Sequence, residues 1–171
     1  MANKYLEFDD TGKNLKEVEA TVESAGAGDA GEIVALNASG KIAESALPDT
    51  AGPETIVAAA SEALTENDVV NFWDDTGTLK VRKADASDAT KPAHGYVKAA
   101  VENGNNATVY CNGFLPGTGL TKGARYFLSE DAGLVTTTPP TTSGAIVQAV
   151  GSAMSATQIK FDPDEMFVTR A

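Results

Sequence analysis

Two patterns of apolar and polar positions follow one another along this chain. From Val69 onward, short apolar runs alternate with clusters of Gly, Asn, Asp and Pro, the period-two signature of half-buried strands divided by turns. Val69–Trp73 meets Thr78–Arg82 across Asp74-Asp75-Thr76-Gly77, a hairpin signal. Gly95–Val101 and Ala107–Cys111 flank Asn103–Asn106, and Arg125–Leu128 and Leu134–Thr136 flank Asp131-Ala132-Gly133. Gly144–Val150 and Gln158–Phe161 complete the series. Short strands at this spacing predict a small antiparallel β-barrel or sandwich.

Before residue 67 the apolar positions thin out. Residues 1–13 read as an extended polar arm whose apolar patch, Tyr5, Leu6 and Phe8, packs on something else. Asn14 followed by Glu17 has capping-box spacing, and Leu15, Val18 and Val22 recur at three- and four-residue intervals. That pattern predicts a short helix over about 14–25, stopped at Gly26. At such a length it is marginal alone, so its stripe needs either the chain's own β domain or a neighbouring subunit. After a small-residue hinge at Ala25–Gly31, Ile33–Leu36 reads as a strand, Asn37–Gly40 as a turn and Lys41–Ala43 as a returning strand. Leu47-Pro48 breaks the pattern.

Residues 49–66 read two ways. Pro53 suits the first turn of a helix carrying Ile56, Val57, Ala60 and Leu64, whereas Thr55–Ala58 suits a strand. The β-rich remainder favours the strand. The expected fold is therefore mainly β, in three parts. An N-terminal extended arm, short helix and hairpin span 1–50, a connector spans 51–66, and a C-terminal β domain spans 67–171.

Composition adds a constraint on stability. Leu, Ile, Val and Phe total only 35 of 171 residues, close to the level at which a core becomes thin. A chain so composed is expected to borrow stability from a partner or from copies of itself. Net charge is −11, and residues 1–66 carry 13 acids against 4 bases. Such a surface repels phosphate backbones and anionic lipid, so neither nucleic acid nor a membrane is an expected partner. Aromatic residues are distributed the other way, with only Tyr5 and Phe8 before residue 67. The beginning of the chain lacks the apolar run of a secretory signal, and no stretch approaches the roughly 20 apolar residues of a membrane span.

Several motifs invite a chemical reading and fail on their context. Gly26-Ala-Gly-Asp-Ala-Gly31 matches the dinucleotide fingerprint. That motif needs a strand before it and a helix after it, the reverse of the order expected here, and Asp29 and Glu32 would repel a pyrophosphate. Asp-Asp-Thr-Gly occurs at 9–12 and 74–77, similar in form to the paired loops of aspartic proteases. The additional acid before each Asp-Thr-Gly suits an exposed turn better than a buried catalytic loop. His94 and Cys111 are the sole histidine and cysteine, too few for a disulfide framework or a metal site built on them. Asp162, Asp164 and Glu165 lack the glycine-centred spacing of a calcium loop. The expectation is a protein without catalytic residues, metal or cofactor.

Two stretches carry a resemblance. Gly31-Glu-Ile-Val-Ala-Leu-Asn-Ala-Ser-Gly-Lys-Ile-Ala-Glu-Ser-Ala-Leu-Pro48 resembles a segment recurring in virion proteins of tailed bacteriophages. Gly119-Leu-Thr-Lys-Gly-Ala-Arg-Tyr-Phe-Leu-Ser129, continuing through Gly133–Pro140, Gly144–Gly151 and Ser155-Ala-Thr157, resembles a small β domain of the same proteins. The resemblance implies a capsid decoration protein of the cement or head-fibre type, made in the bacterial cytoplasm and carried on the capsid exterior. It implies a homotrimer bound to the major capsid protein, with Tyr5, Leu6 and Phe8 as the capsid-binding residues. Leu15, Val18, Val22, Ile33, Leu36 and Ile42 are then the expected trimer contacts. The alternative is a tail-fibre or receptor-binding protein that contacts host surface glycans, since the β domain also resembles tail-fibre modules.

Overall fold

The computed structural model describes residues 3–47 and 54–171. The Leu47-Pro48 break and the helix start at Pro53 therefore fall at or beyond the edge of the described residues. The chain divides into two compact units, Met1–Gly52 and Pro53–Ala171.

The first unit is built on a hairpin of β1 (Lys4–Asp9) and β2 (Asn14–Glu19). The expected helix at 14–25 is thus replaced by a strand. Its physical reason lies in the pairing: Tyr5 faces Val18 and Phe8 faces Leu15. Cross-strand partners of this kind stabilise a sheet, while three apolar residues on a three-turn helix provide little. The turn is set by Asp9, whose Oδ1 accepts the Thr11 N–H at 2.9 Å. Beyond β2, Thr21 forms a parallel bridge with Val34. Gly26–Gly31, read as a flexible hinge, contains a short 3-10 turn at Ala27–Asp29. The turn expected at Asn37–Gly40 is present, with Asn37 Oδ1 accepting the N–H groups of Ser39 and Lys41. Neither expected strand flanks it: Ile33–Leu36 contributes only the bridge at Val34, 41–43 is irregular, and a 3-10 turn occupies Glu44–Ala46.

In the second unit, β3 (Thr55–Ala60), β4 (Val69–Asp75), β5 (Thr78–Lys83), β6 (Gly95–Val97) and β7 (Asn106–Tyr110) close a barrel in the order β3-β5-β4-β6-β7. Part of the expected connector therefore belongs to the barrel: β3 supplies a wall strand, and Leu64 packs in its interior. All barrel pairings are antiparallel except β3 with β5. The β4–β5 hairpin turns through Thr76 and Gly77, with φ of 52° and 90°. Successive positive φ values make the tight turn that matches strand twist, and glycine enters that region without strain.

Alternation along the barrel strands separates two cores. Val70, Val81, Val97 and Val109 point inward with Ala58, Ala60 and Ala107. The three alanines suit a narrow interior that side chains must fill. The neighbouring residues Val69 and Tyr96 point outward into a second cluster. That cluster lies against a five-stranded sheet in the order β10-β9-β12-β13-β8. Its members are β8 (Gly113–Pro116), β9 (Arg125–Leu128), β10 (Val135–Thr136), β12 (Ala149–Ala153) and β13 (Gln158–Phe161). A separate small pair joins β11 (Ile146–Val147) to β14 (Val168–Thr169).

Polar residues fasten the layers. Tyr96 Oη donates to the Phe114 carbonyl at 3.0 Å, tying barrel to sheet. Buried Gln148 accepts the Ala93 N–H at 2.7 Å and donates to the carbonyls of Ala93 and Asp164, each at 2.9 Å. Its side chain therefore substitutes for a missing strand partner of Ala93.

Candidate interaction surface

A difference in burial separates the units. Among residues 3–47 of the first unit, none whose burial is described, which leaves out Glu44, is buried, whereas the second unit holds two buried clusters. The β1–β2 register assigns the hairpin's side chains to two faces, because neighbours along a strand point oppositely. Leu6, Phe8 and Leu15 share one face, at 67%, 56% and 65% exposure. Tyr5 and Val18 lie opposite one another on the other face and are half-buried.

This arrangement regroups the expected contact residues. Tyr5, assigned with Leu6 and Phe8, faces away from them. Leu15, assigned with Val18 and Val22 to one stripe, faces away from Val18 and joins Leu6 and Phe8 instead. The remaining residues, Val22, Ile33, Leu36 and Ile42, are all exposed. Ile33 and Leu36 line an open groove of about 610 Å³ with Tyr5 and Val34. Val34 was absent from the expected set. Its signal was its place in the Ile33–Leu36 run.

Charge on the hairpin is paired across the strands. Lys4 Nζ lies 3.2 Å from Glu17 Oε2, and Lys16 Nζ lies 3.1 Å from Glu7 Oε2. Lys13 and Asp10 approach to 3.7 Å across the turn. The bond to Glu7 raises the Lys16 pKa above its ordinary value. The N–H groups of Gly12 and Thr11 hold the Asp9 carboxyl below the usual range. These pairs are exposed, so they add register more than stability.

Of the residues suspected of chemistry in the second unit, all but Asp75 lie around one cavity of about 420 Å³. His94, Cys111, Glu54, Asp162, Asp164 and Glu165 are among its walls. His94 Nδ1 accepts the Phe72 N–H at 3.0 Å, which places the neutral ring's proton on Nε2. Burial holds the His94 pKa below its ordinary value. Burial and the nearby Glu54 carboxylate push the Cys111 thiol up, the reverse of what activates a nucleophilic thiol. Asp164 pairs with Arg125 at 2.9 Å. Among the described residues, no three His, Cys, Asp or Glu side chains are placed to hold a metal ion, and no helix is long and apolar enough to cross a membrane. Asp75, in the second Asp-Asp-Thr-Gly, ion-pairs with Lys80.

The aromatic residues of this unit are largely engaged. Tyr96 stacks on Tyr110 with ring centroids 5.5 Å apart and meets Phe161 edge-on at 5.1 Å. Trp73 donates to Ser61 Oγ at 3.1 Å while the Arg82 guanidinium covers its ring.

Fold and surface together define a two-unit, mainly β protein whose barrel unit has its own core, while the described residues of the hairpin unit form none. Comparison with protein-family models, curated proteins and solved structures found no match to this chain.

Proposed function

We propose that this chain is a non-enzymatic virion protein of a tailed bacteriophage: a capsid decoration protein of the cement or head-fibre type. Its first unit attaches to the major capsid shell and brings three copies together, and its barrel unit projects from the capsid exterior. The observation that carries this reading is the unburied first unit, with its large exposed apolar side chains. A two-stranded hairpin is marginal in water, and apolar surface of this kind marks a contact site. The resemblance of 31–48 and 119–157 to phage virion proteins supports this kind of assembly. Three-fold association gives a thin-cored subunit added burial and suits the symmetric positions of an icosahedral shell.

Immunogold labelling of particles from the phage encoding this chain tests the proposal. Label distributed over the head is the expected result. Label confined to the tail tip would favour a receptor-binding protein, and unlabelled particles would remove the virion assignment.

A further inference from the structure

In the barrel, β6 pairs with β4 only at Val69 and Val70. The next N–H on that edge of β4, at Phe72, therefore has no strand partner, and His94 takes the place of one. Its backbone N–H donates to the Val70 carbonyl at 2.9 Å, and its ring turns back so that Nδ1 accepts the Phe72 N–H at 3.0 Å. Asn71 Nδ2 lies 3.3 Å from the same Nδ1, and the ring stacks on Phe72 with planes 12° apart. The Asn71 amide is itself fixed, donating to the Pro92 carbonyl and accepting from Arg82 Nε, each at 2.9 Å. Both of these neighbours of Nδ1 are donors, so the arrangement suits only a ring whose Nδ1 carries no proton.

We propose that His94 is a pH-operated latch on the free edge of β4: the neutral ring covers the Phe72 N–H, and the imidazolium, with a proton on each nitrogen, releases it. The cavity of about 420 Å³ that His94 helps to wall gives the released ring room to turn. Glu54, Asp162, Asp164 and Glu165 on its other walls favour the charged form. Of these, Asp164 already holds Arg125, and Glu54 accepts from Asn112 Nδ2 at 3.2 Å. Cys111, on the same cavity, has its thiol pushed up and stays neutral. Two effects oppose the charge: Arg82 stands behind Asn71 as a fixed cation, and burial lowers the His94 pKa. The latch is therefore closed at neutral pH and opens only below the ordinary histidine value of about 6.5. It belongs to the barrel unit and does not rest on the virion reading.

Nuclear magnetic resonance of the isotope-labelled full chain, titrated from about pH 8 to about pH 5 across the histidine range, tests the latch. The ring nitrogens are expected to report a proton on Nε2 alone at neutral pH and on both at acid pH. Over the same step the Phe72 amide should lose roughly tenfold or more of its exchange protection, after correction for the intrinsic pH dependence of exchange. The amides of Val81 and Val109, in the barrel interior, should keep theirs. His94→Ala removes the acceptor, so its Phe72 amide should exchange rapidly at every pH while Val81 and Val109 remain protected. Phe72 protection that is unchanged through the His94 titration would overturn the proposal, and the wild-type titration decides this without the variant. Loss of protection at Val81 and Val109 in the same step would make the transition global unfolding and overturn it equally. A Phe72 amide still protected at neutral pH in His94→Ala would also overturn it, since the ring would not be what covers that edge.

Discussion

Replacing Gln148 with Met tests the fastening between barrel and sheet. Met matches the length and flexibility of Gln, so the change removes three hydrogen bonds with little change in packing volume. Gln148 is 2% exposed and Ala93 is 1% exposed, so the bonds to the Ala93 N–H and carbonyl are shielded from bulk water although both residues wall the cavity. The Asp164 carbonyl belongs to an exposed residue and regains a water partner. Two orphaned buried groups at roughly 1–3 kcal/mol each give a loss near 3 kcal/mol, or a fall in Tm of about 12 °C for a unit of this size. Urea denaturation followed by fluorescence of Trp73, the sole tryptophan, measures it within the barrel unit. A midpoint shift worth less than about 0.5 kcal/mol, with unchanged slope, would refute the argument that these bonds are shielded from water. Gln148→Glu should be similarly destabilised near neutral pH, because a carboxylate cannot donate to either carbonyl.

Further expectations concern His94 and the glycines. The His94 pKa is lowered in the folded protein by burial, so the unfolded chain takes up a proton first as pH falls. Its contribution is fully present above about pH 6.5 and is lost as pH drops from there through the lowered folded value. Urea midpoints measured from pH 8 to pH 5 should decline through this window, and the decline should flatten in His94→Gln. Gly151 has a φ of 147°, and an added Cβ would lie within 2.0 Å of the Lys160 carbonyl oxygen. Gly151→Ala should therefore lower stability by several kcal/mol, on the order expected for an overpacked buried site. Gly104→Ala, with open space around it and only a φ of 88° to accommodate, should cost about 1 kcal/mol, and thermal denaturation of both variants checks the order.

Much of the barrel unit was legible because its signals are local. The β4–β5 hairpin announces itself through alternating apolar residues and the Thr76-Gly77 turn, and β7, β9 and β13 follow short β-branched or aromatic runs. The order β10-β9-β12-β13-β8 was not legible, because it depends on which distant strands share a core. β8 was missed because Gly113-Phe-Leu-Pro116 has a glycine at one end and a proline at the other, both weak strand signals.

The misreading of 14–19 has a sharper cause. In Asn14-Leu-Lys-Glu-Val-Glu19 the apolar residues are three apart, which suits a helical stripe when the segment is read alone. Pairing with β1 changes the geometry. As a strand, the segment turns Leu15 toward Phe8 and Val18 toward Tyr5. The apolar residues of the candidate surface were thus recognised individually, while their division between faces required the register.

On the virion proposal, the first unit completes its structure only against a partner. Hydrogen exchange measured on the free chain and on particles carrying it tests this. The β1 and β2 amides are expected to exchange rapidly in the free chain and slowly on the particle, with the barrel amides slow in both. Equal protection of hairpin and barrel amides in the free chain would contradict it.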